Sequence, residues 1–127
     1  MELLNVDSAV YDELVEFSES MSTSALWGEV IYFLGEKSPY EERKQLFLSI
    51  LYRLTQEGRI KLAFDGKFLE GTIEEQVQLY SDRWPKDERK LAGFGFQFTE
   101  DKHGNLIEFW PMCGFVWIYE DGSMEGT

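Results

Sequence analysis

Residues 58 to 75 read Gly58-Arg59-Ile60-Lys61-Leu62-Ala63-Phe64-Asp65-Gly66-Lys67-Phe68-Leu69-Glu70-Gly71-Thr72-Ile73-Glu74-Glu75. In order they carry the end of one helix, a hairpin and the start of another helix. Gly58 stands where a helix running to about Glu57 should stop, because glycine takes the left-handed C-terminal conformation without a Cβ penalty. Ile60, Leu62 and Phe64 alternate with Lys61 and Ala63, the period of a strand. Asp65-Gly66 is a two-residue hairpin turn, Lys67–Glu70 the return strand, and Gly71 its break. Thr72 and Glu75 have the spacing of a capping box, which opens a helix bearing Ile73, Val77, Tyr80 and Trp84 and closed by Pro85.

Three helices are expected upstream. The first begins near Asp7 or Ser8, either of which can cap, and carries Val6, Val10, Leu14, Phe17 and Met21 as one apolar stripe. The polar run Ser18–Ser24 breaks it. Thr23 or Ser24 can cap a second helix, roughly Ala25–Leu34, which is apolar nearly all round and therefore belongs in the interior; Gly35 stops it. In Ser38-Pro39-Tyr40-Glu41 the serine is placed to cap, the proline to take the first helical position and Glu41 to return the bond. That helix puts Tyr40, Phe47, Ile50, Leu51 and Leu54 on its core side.

Downstream the period becomes two. Phe94, Phe96 and Phe98 share a face, a turn follows at Asp101–Asn105, Leu106–Trp110 is the next strand, and Phe115, Trp117 and Tyr119 form the larger face of the last. Asp121-Gly122 turns the chain out and Ser123–Thr127 reads as frayed. The fold class is α+β: three N-terminal helices, a β-hairpin, a further helix and a C-terminal antiparallel sheet covered on one side by helices. At 127 residues and 43% hydrophobic, the chain suits one domain with a core of its own, and the single cysteine, Cys113, permits no internal disulfide. No signal peptide and no bilayer-spanning run is read, so a cytoplasmic protein is expected.

Charge is distributed unevenly. The net charge is −12, with a local balance of −8 over residues 1–36, +1 over 37–91 and −5 over 92–127. The first 36 residues hold no lysine or arginine. Such a field repels nucleic acid and anionic membrane and attracts a cationic partner.

Residues with familiar chemistry are sparse. His103 is the sole histidine, so no second one completes a metal site, and beside Asp101 it reads as a solvent-exposed turn residue. Cys113 has no flanking cation to activate it and reads as a small buried hydrophobe. Gly93-Phe94-Gly95 lacks the third glycine of a phosphate loop and leads into a strand. Carboxylate pairs such as Asp87-Glu88 are expected by chance among 24 acids, and neither a nucleophile elbow nor a Walker motif occurs. No cofactor, metal or catalytic residue is therefore expected. A helix followed by a hairpin, with Arg53, Arg59, Lys61 and Lys67 as its cations, has the element order of winged-helix DNA binders, but the overall charge weighs against phosphate contacts.

The blocks Gly58-Arg59-Ile60-Lys61-Leu62-Ala63 and Gly66–Gln76, then Trp84-Pro85, and finally Val116-Trp117-Ile118-Tyr119-Glu120-Asp121-Gly122 resemble a family of small uncharacterised bacterial proteins, a domain of unknown function. Its members share the Gly-Arg-Ile-Lys-Leu block and the Trp-x-x-x-Asp-Gly ending. The resemblance runs from about residue 26 to residue 122 and leaves the first helix outside. Some related genes are immunity partners in contact-dependent growth inhibition and polymorphic toxin systems. The resemblance thus implies an immunity protein that binds and occludes a cognate toxin domain, and transfers no active site. Charge favours a basic, nuclease-type toxin. The residues expected to meet it are Asp12, Glu13, Glu16 and Glu19, with Glu120 and Asp121 as a second acidic cluster. Two other readings stand beside this one: a small acidic enzyme or ligand-binding protein with a site in the aromatic sheet near Trp110 or Trp117, and a winged-helix-like regulator. The oligomeric state is left open.

Overall fold

The computed structural model describes residues 3–64, 66–84, 98–100, 106–109 and 114–127. The expectations for Asp87-Glu88, Gly93–Phe96, Asp101–Asn105, Trp110 and Cys113 lie outside the described residues. The elements are α1 (Ser8–Ser18), α2 (Thr23–Leu34), α3 (Tyr40–Gln56), β1 (Ile60–Phe64), β2 (Lys67–Phe68), α4 (Ile73–Arg83), β3 (Phe98–Glu100), β4 (Leu106–Phe109), β5 (Gly114–Ile118) and β6 (Met124–Gly126). The α+β class holds.

The sheet is built differently from the linear expectation. The hairpin is part of the main sheet, because β1 pairs antiparallel with β2 on one side and with β5 on the other, giving the order β2-β1-β5-β6. β3 and β4 pair with each other as a separate two-stranded ribbon. β1 and β2 pair Phe64 with Lys67, and Gly66 between them takes φ +76°, the left-handed conformation a tight hairpin turn asks of glycine; Asp65 lies outside the described residues. The C-terminal residues are not frayed. β6 pairs Met124 with Ile118 and Gly126 with Val116, and the amide and hydroxyl of Thr127 both donate to the Phe115 carbonyl. Backbone ladder bonds hold this edge, so the polar side chains of Ser123–Thr127 gave no sign of it.

Helices cover one face of the sheet. α3 is the central one, burying Leu46, Phe47, Leu48, Ile50, Leu51 and Leu54. Ile60 and Leu62 of β1 and Phe115 and Trp117 of β5 complete the buried layer. Trp27 of α2, Phe47 of α3 and Trp84 at the end of α4 meet ring to ring, with Trp84 centred 5.1 Å from Trp27 and 5.4 Å from Phe47. Such contacts add specific geometry to the area that the rings remove from water.

Three local expectations change. Ser38 does not cap α3; its hydroxyl donates to the Gly35 carbonyl at 2.6 Å and closes the α2–α3 turn, while Glu41 accepts from the Gln45 side chain at 2.9 Å. Pro39 takes the cap position, and the helix starts at Tyr40. By contrast, the Thr72–Glu75 box forms in both directions. Second, α2 is not interior on every side: Leu26, Trp27 and Val30 are buried, but Tyr32 is 87% exposed and Phe33 is exposed as well. Third, α1 is turned by about one residue from its expected stripe. It buries Tyr11, Leu14, Val15 and Ser18 and leaves Phe17 exposed, and Met21, past the helix end, is exposed as well. Tyr11 fixes that rotation. Its hydroxyl donates to Glu57 Oε1 at 2.7 Å, and the Arg53 guanidinium lies 3.9 Å above its ring while also bonding Glu57 and Ser8.

Candidate functional site

α1 begins at Asp7, whose carboxylate accepts from the Ala9 amide and so satisfies one of the orphan donors of the first turn. Its core stripe faces α2 and α3. Asp12, Glu13 and Glu16 project from the rest of the helix, Glu19 is its C-cap, and all four are exposed. Among the described residues no lysine or arginine pairs with any of the four. Two cations of α3 are engaged elsewhere: Arg53 pairs with Glu57 at 3.2 Å, and Arg43 is buried over the rings of Trp27 and Tyr40. Glu19 follows the last helical turn, where the helix dipole disfavours an anion.

The second acidic cluster is drawn to the same end of the helix. The hydroxyls of Ser20 and Tyr119 are hydrogen-bonded, and Trp117 Nε1 donates to the Met21 carbonyl at 2.8 Å. These bonds fasten the end of α1 to the end of β5, so Glu19 and Glu120 each sit one residue from the same hydrogen-bonded pair. Asp12 lies at the opposite end of the row. Asp121 is tied into its turn: the Ser123 hydroxyl and then the Ser123 amide donate to it, and they hold its carboxyl below the ordinary range. It contributes charge, but its geometry is set by the turn.

Sequence reasoning missed the two apolar residues on this face. Phe17 is 56% exposed and Met21 53% exposed, both having been assigned to the core. The signal was present in Tyr11 and Val15, which the expected stripe left outside and which form, with Leu14, an equally regular apolar face.

The other two readings fare differently. Trp117 is 1% exposed, and its indole nitrogen donates to the Met21 carbonyl, so it pins the end of α1 to the sheet. A hollow of about 440 Å³ lies between residues 3–8 and α3, and another of about 280 Å³ beside β1 and α4; neither is lined by a carboxylate, a histidine or a cysteine. No cluster of three or more His, Cys, Asp or Glu able to hold a metal occurs among the described residues. β1 of the hairpin is an inner strand, with β5 along its other edge. Lys61 lies over the Phe68 ring at 4.8 Å. No helix among the described residues is long and apolar enough to cross a membrane.

The model of the family described as "Protein of unknown function, DUF596" matches residues 55–127. The chain belongs to this family. The DUF596 match takes in β1 to β6 and α4, and with them every sequence block that carries the family resemblance. A solved structure, an uncharacterized protein conserved in bacteria from Neisseria meningitidis, is similar over 91% of this chain and 85% of that one, with 28% identity and a TM-score of 0.66. That share extends well beyond the DUF596 match into the N-terminal helices. No curated protein matches the chain.

Proposed function

We propose that this DUF596 protein is a binding module for a basic protein, an immunity protein that occludes a cognate nuclease-type toxin domain in the cytoplasm. One observation carries the reading: Asp12, Glu13, Glu16 and Glu19 stand exposed and without cationic partners along one helix. Carboxylates held in this way offer a nuclease the charge it is built to meet in phosphates. Glu120, across the Ser20–Tyr119 junction, extends that surface. Complementary charge of this kind acts first on the encounter rate and on the exclusion of wrong partners.

The test is the double reversal Glu13→Lys/Glu16→Lys, measured by stopped-flow association with a candidate basic, nuclease-type toxin domain at low and high salt. Both side chains are exposed, so folding is retained. The expected result is a slower on-rate and a shallower salt dependence. An unchanged on-rate at low salt would remove α1 as the docking face.

A further inference from the structure

We infer that Phe17, with the exposed Met21 just past the end of α1, is the apolar anchor by which this acidic face grips a cationic protein, seated in a partner pocket walled by apolar side chains and rimmed by Lys and Arg. The inference rests on the binding-module reading and adds what holds the complex together once charge has brought it together.

The orientation of α1 is the first ground. The helix buries Ser18 completely, its hydroxyl returned to the Leu14 carbonyl at 2.8 Å, and leaves the adjacent Phe17 at 56% exposure. Hydrophobicity alone favours the opposite choice. The Tyr11–Glu57–Arg53 cluster holds the helix in this rotation. A fold that overrides its own local preference at one helix tends to do so where function requires it. Surroundings supply the second ground. Glu13 lies one turn before Phe17, Glu16 and Glu19 lie on either side of it along the chain, and Met21 is also exposed. An aromatic centre inside a charged rim has the anatomy of a binding hot spot.

Charge selects the occupant. A second copy would set Glu13, Glu16 and Glu19 against their own equivalents on a molecule of net charge −12. An anionic bilayer and nucleic acid are repelled for the same reason. A cationic protein gains on both counts, because its lysines and arginines meet the carboxylates and a guanidinium can stack on the phenyl face.

The two parts of the surface have separable kinetic signatures, since charge acts on association and buried apolar contact on dissociation. A basic, nuclease-type toxin domain is the probe, in surface-binding kinetics. Phe17→Ala should raise the off-rate about 30-fold or more and leave the on-rate within about twofold, Met21→Ala should do so more weakly, and Phe17→Leu should recover most of the loss. Circular dichroism matching the wild type establishes that each variant is folded. If Glu13→Lys/Glu16→Lys slows association while Phe17→Ala and Met21→Ala leave the off-rate unchanged, the anchor is overturned and the acidic face stands. If neither set has an effect, or the probe does not bind, the binding reading falls with it. A dimer of this chain in light scattering that Phe17→Ala dissociates would assign the patch to self-association and overturn the inference.

Discussion

Replacing Tyr11 by Phe tests what fixes the rotation of α1. The ring stays in its buried site under Arg53, and only the hydroxyl that donates to Glu57 at 2.7 Å is lost. A hydrogen bond to a charged acceptor contributes about 1.5–3 kcal/mol when the acceptor is left stranded. Glu57 is not stranded: its side chain is 40% exposed and keeps the Arg53 contact, so water and screening recover part of the loss. The expected destabilisation is therefore about 1 kcal/mol, against about 3–5 kcal/mol for removal of a whole buried aromatic side chain. Urea unfolding should show it as a lower midpoint at unchanged slope. The pH dependence follows. The Tyr11 hydroxyl, then Arg53, hold the Glu57 carboxyl below its ordinary value despite partial burial. A depressed carboxylate contributes stability above its unfolded pKa and loses it as pH falls through the folded one. The gap between wild type and Tyr11→Phe should thus be full at pH 7 and close below about pH 4. At the other end, burial and then the Glu57 hydrogen bond push the Tyr11 phenol above its ordinary range. That stability is complete below the unfolded phenol's pKa and erodes above about pH 10, an alkaline slope Tyr11→Phe should lack. A Tyr11→Phe protein as stable as wild type at pH 7, or a gap that does not change with pH, would refute the assignment.

Two further substitutions probe the frame. Thr72→Ala removes one half of the α4 capping box and should cost about 1 kcal/mol in urea unfolding, with Thr72→Ser recovering most of it. Ser18→Ala should be within about 0.5 kcal/mol of wild type, because the hydroxyl only returns a bond to its own helix and alanine is the better helix former; a large loss would mean that Ser18 sets the rotation of α1.

Where one residue's neighbours along the chain decide its state, the sequence was enough. Gly58, the β1–β2 pairing with Gly66 at positive φ, the Thr72–Glu75 box and the alternation of Phe115 and Trp117 all appear as expected. The misses depend on distant partners. Apolar stripes through residues 10, 14, 17 and 21 or through 11, 14, 15 and 18 are both regular, and the choice is made by Glu57 and Arg53 on another helix. Exposing Phe17 forgoes roughly 1.5–3 kcal/mol of burial, which no local pattern announces. Likewise Ser38 has a nearer acceptor in Gly35 than the helix it precedes, and β6 exists because β5 offers it a ladder. The acids of the candidate site were legible as charge; that Phe17 and Met21 lie among them was not.

Pairing β1 with β5 has a consequence for how the chain reaches this state. Each rung joins residues 60–63 to residues 114–117, so the sheet cannot close until the whole excursion between them has been drawn in, whereas the helical pair α1–α2 needs only near neighbours. Closure of so long an excursion is slow, and until it happens the β1–β2 hairpin presents a bare edge to any other chain in the same condition. Molecules of net charge −12 keep their distance while they wait. The same anions that cover the finished surface would then also chaperone the chain through its own assembly.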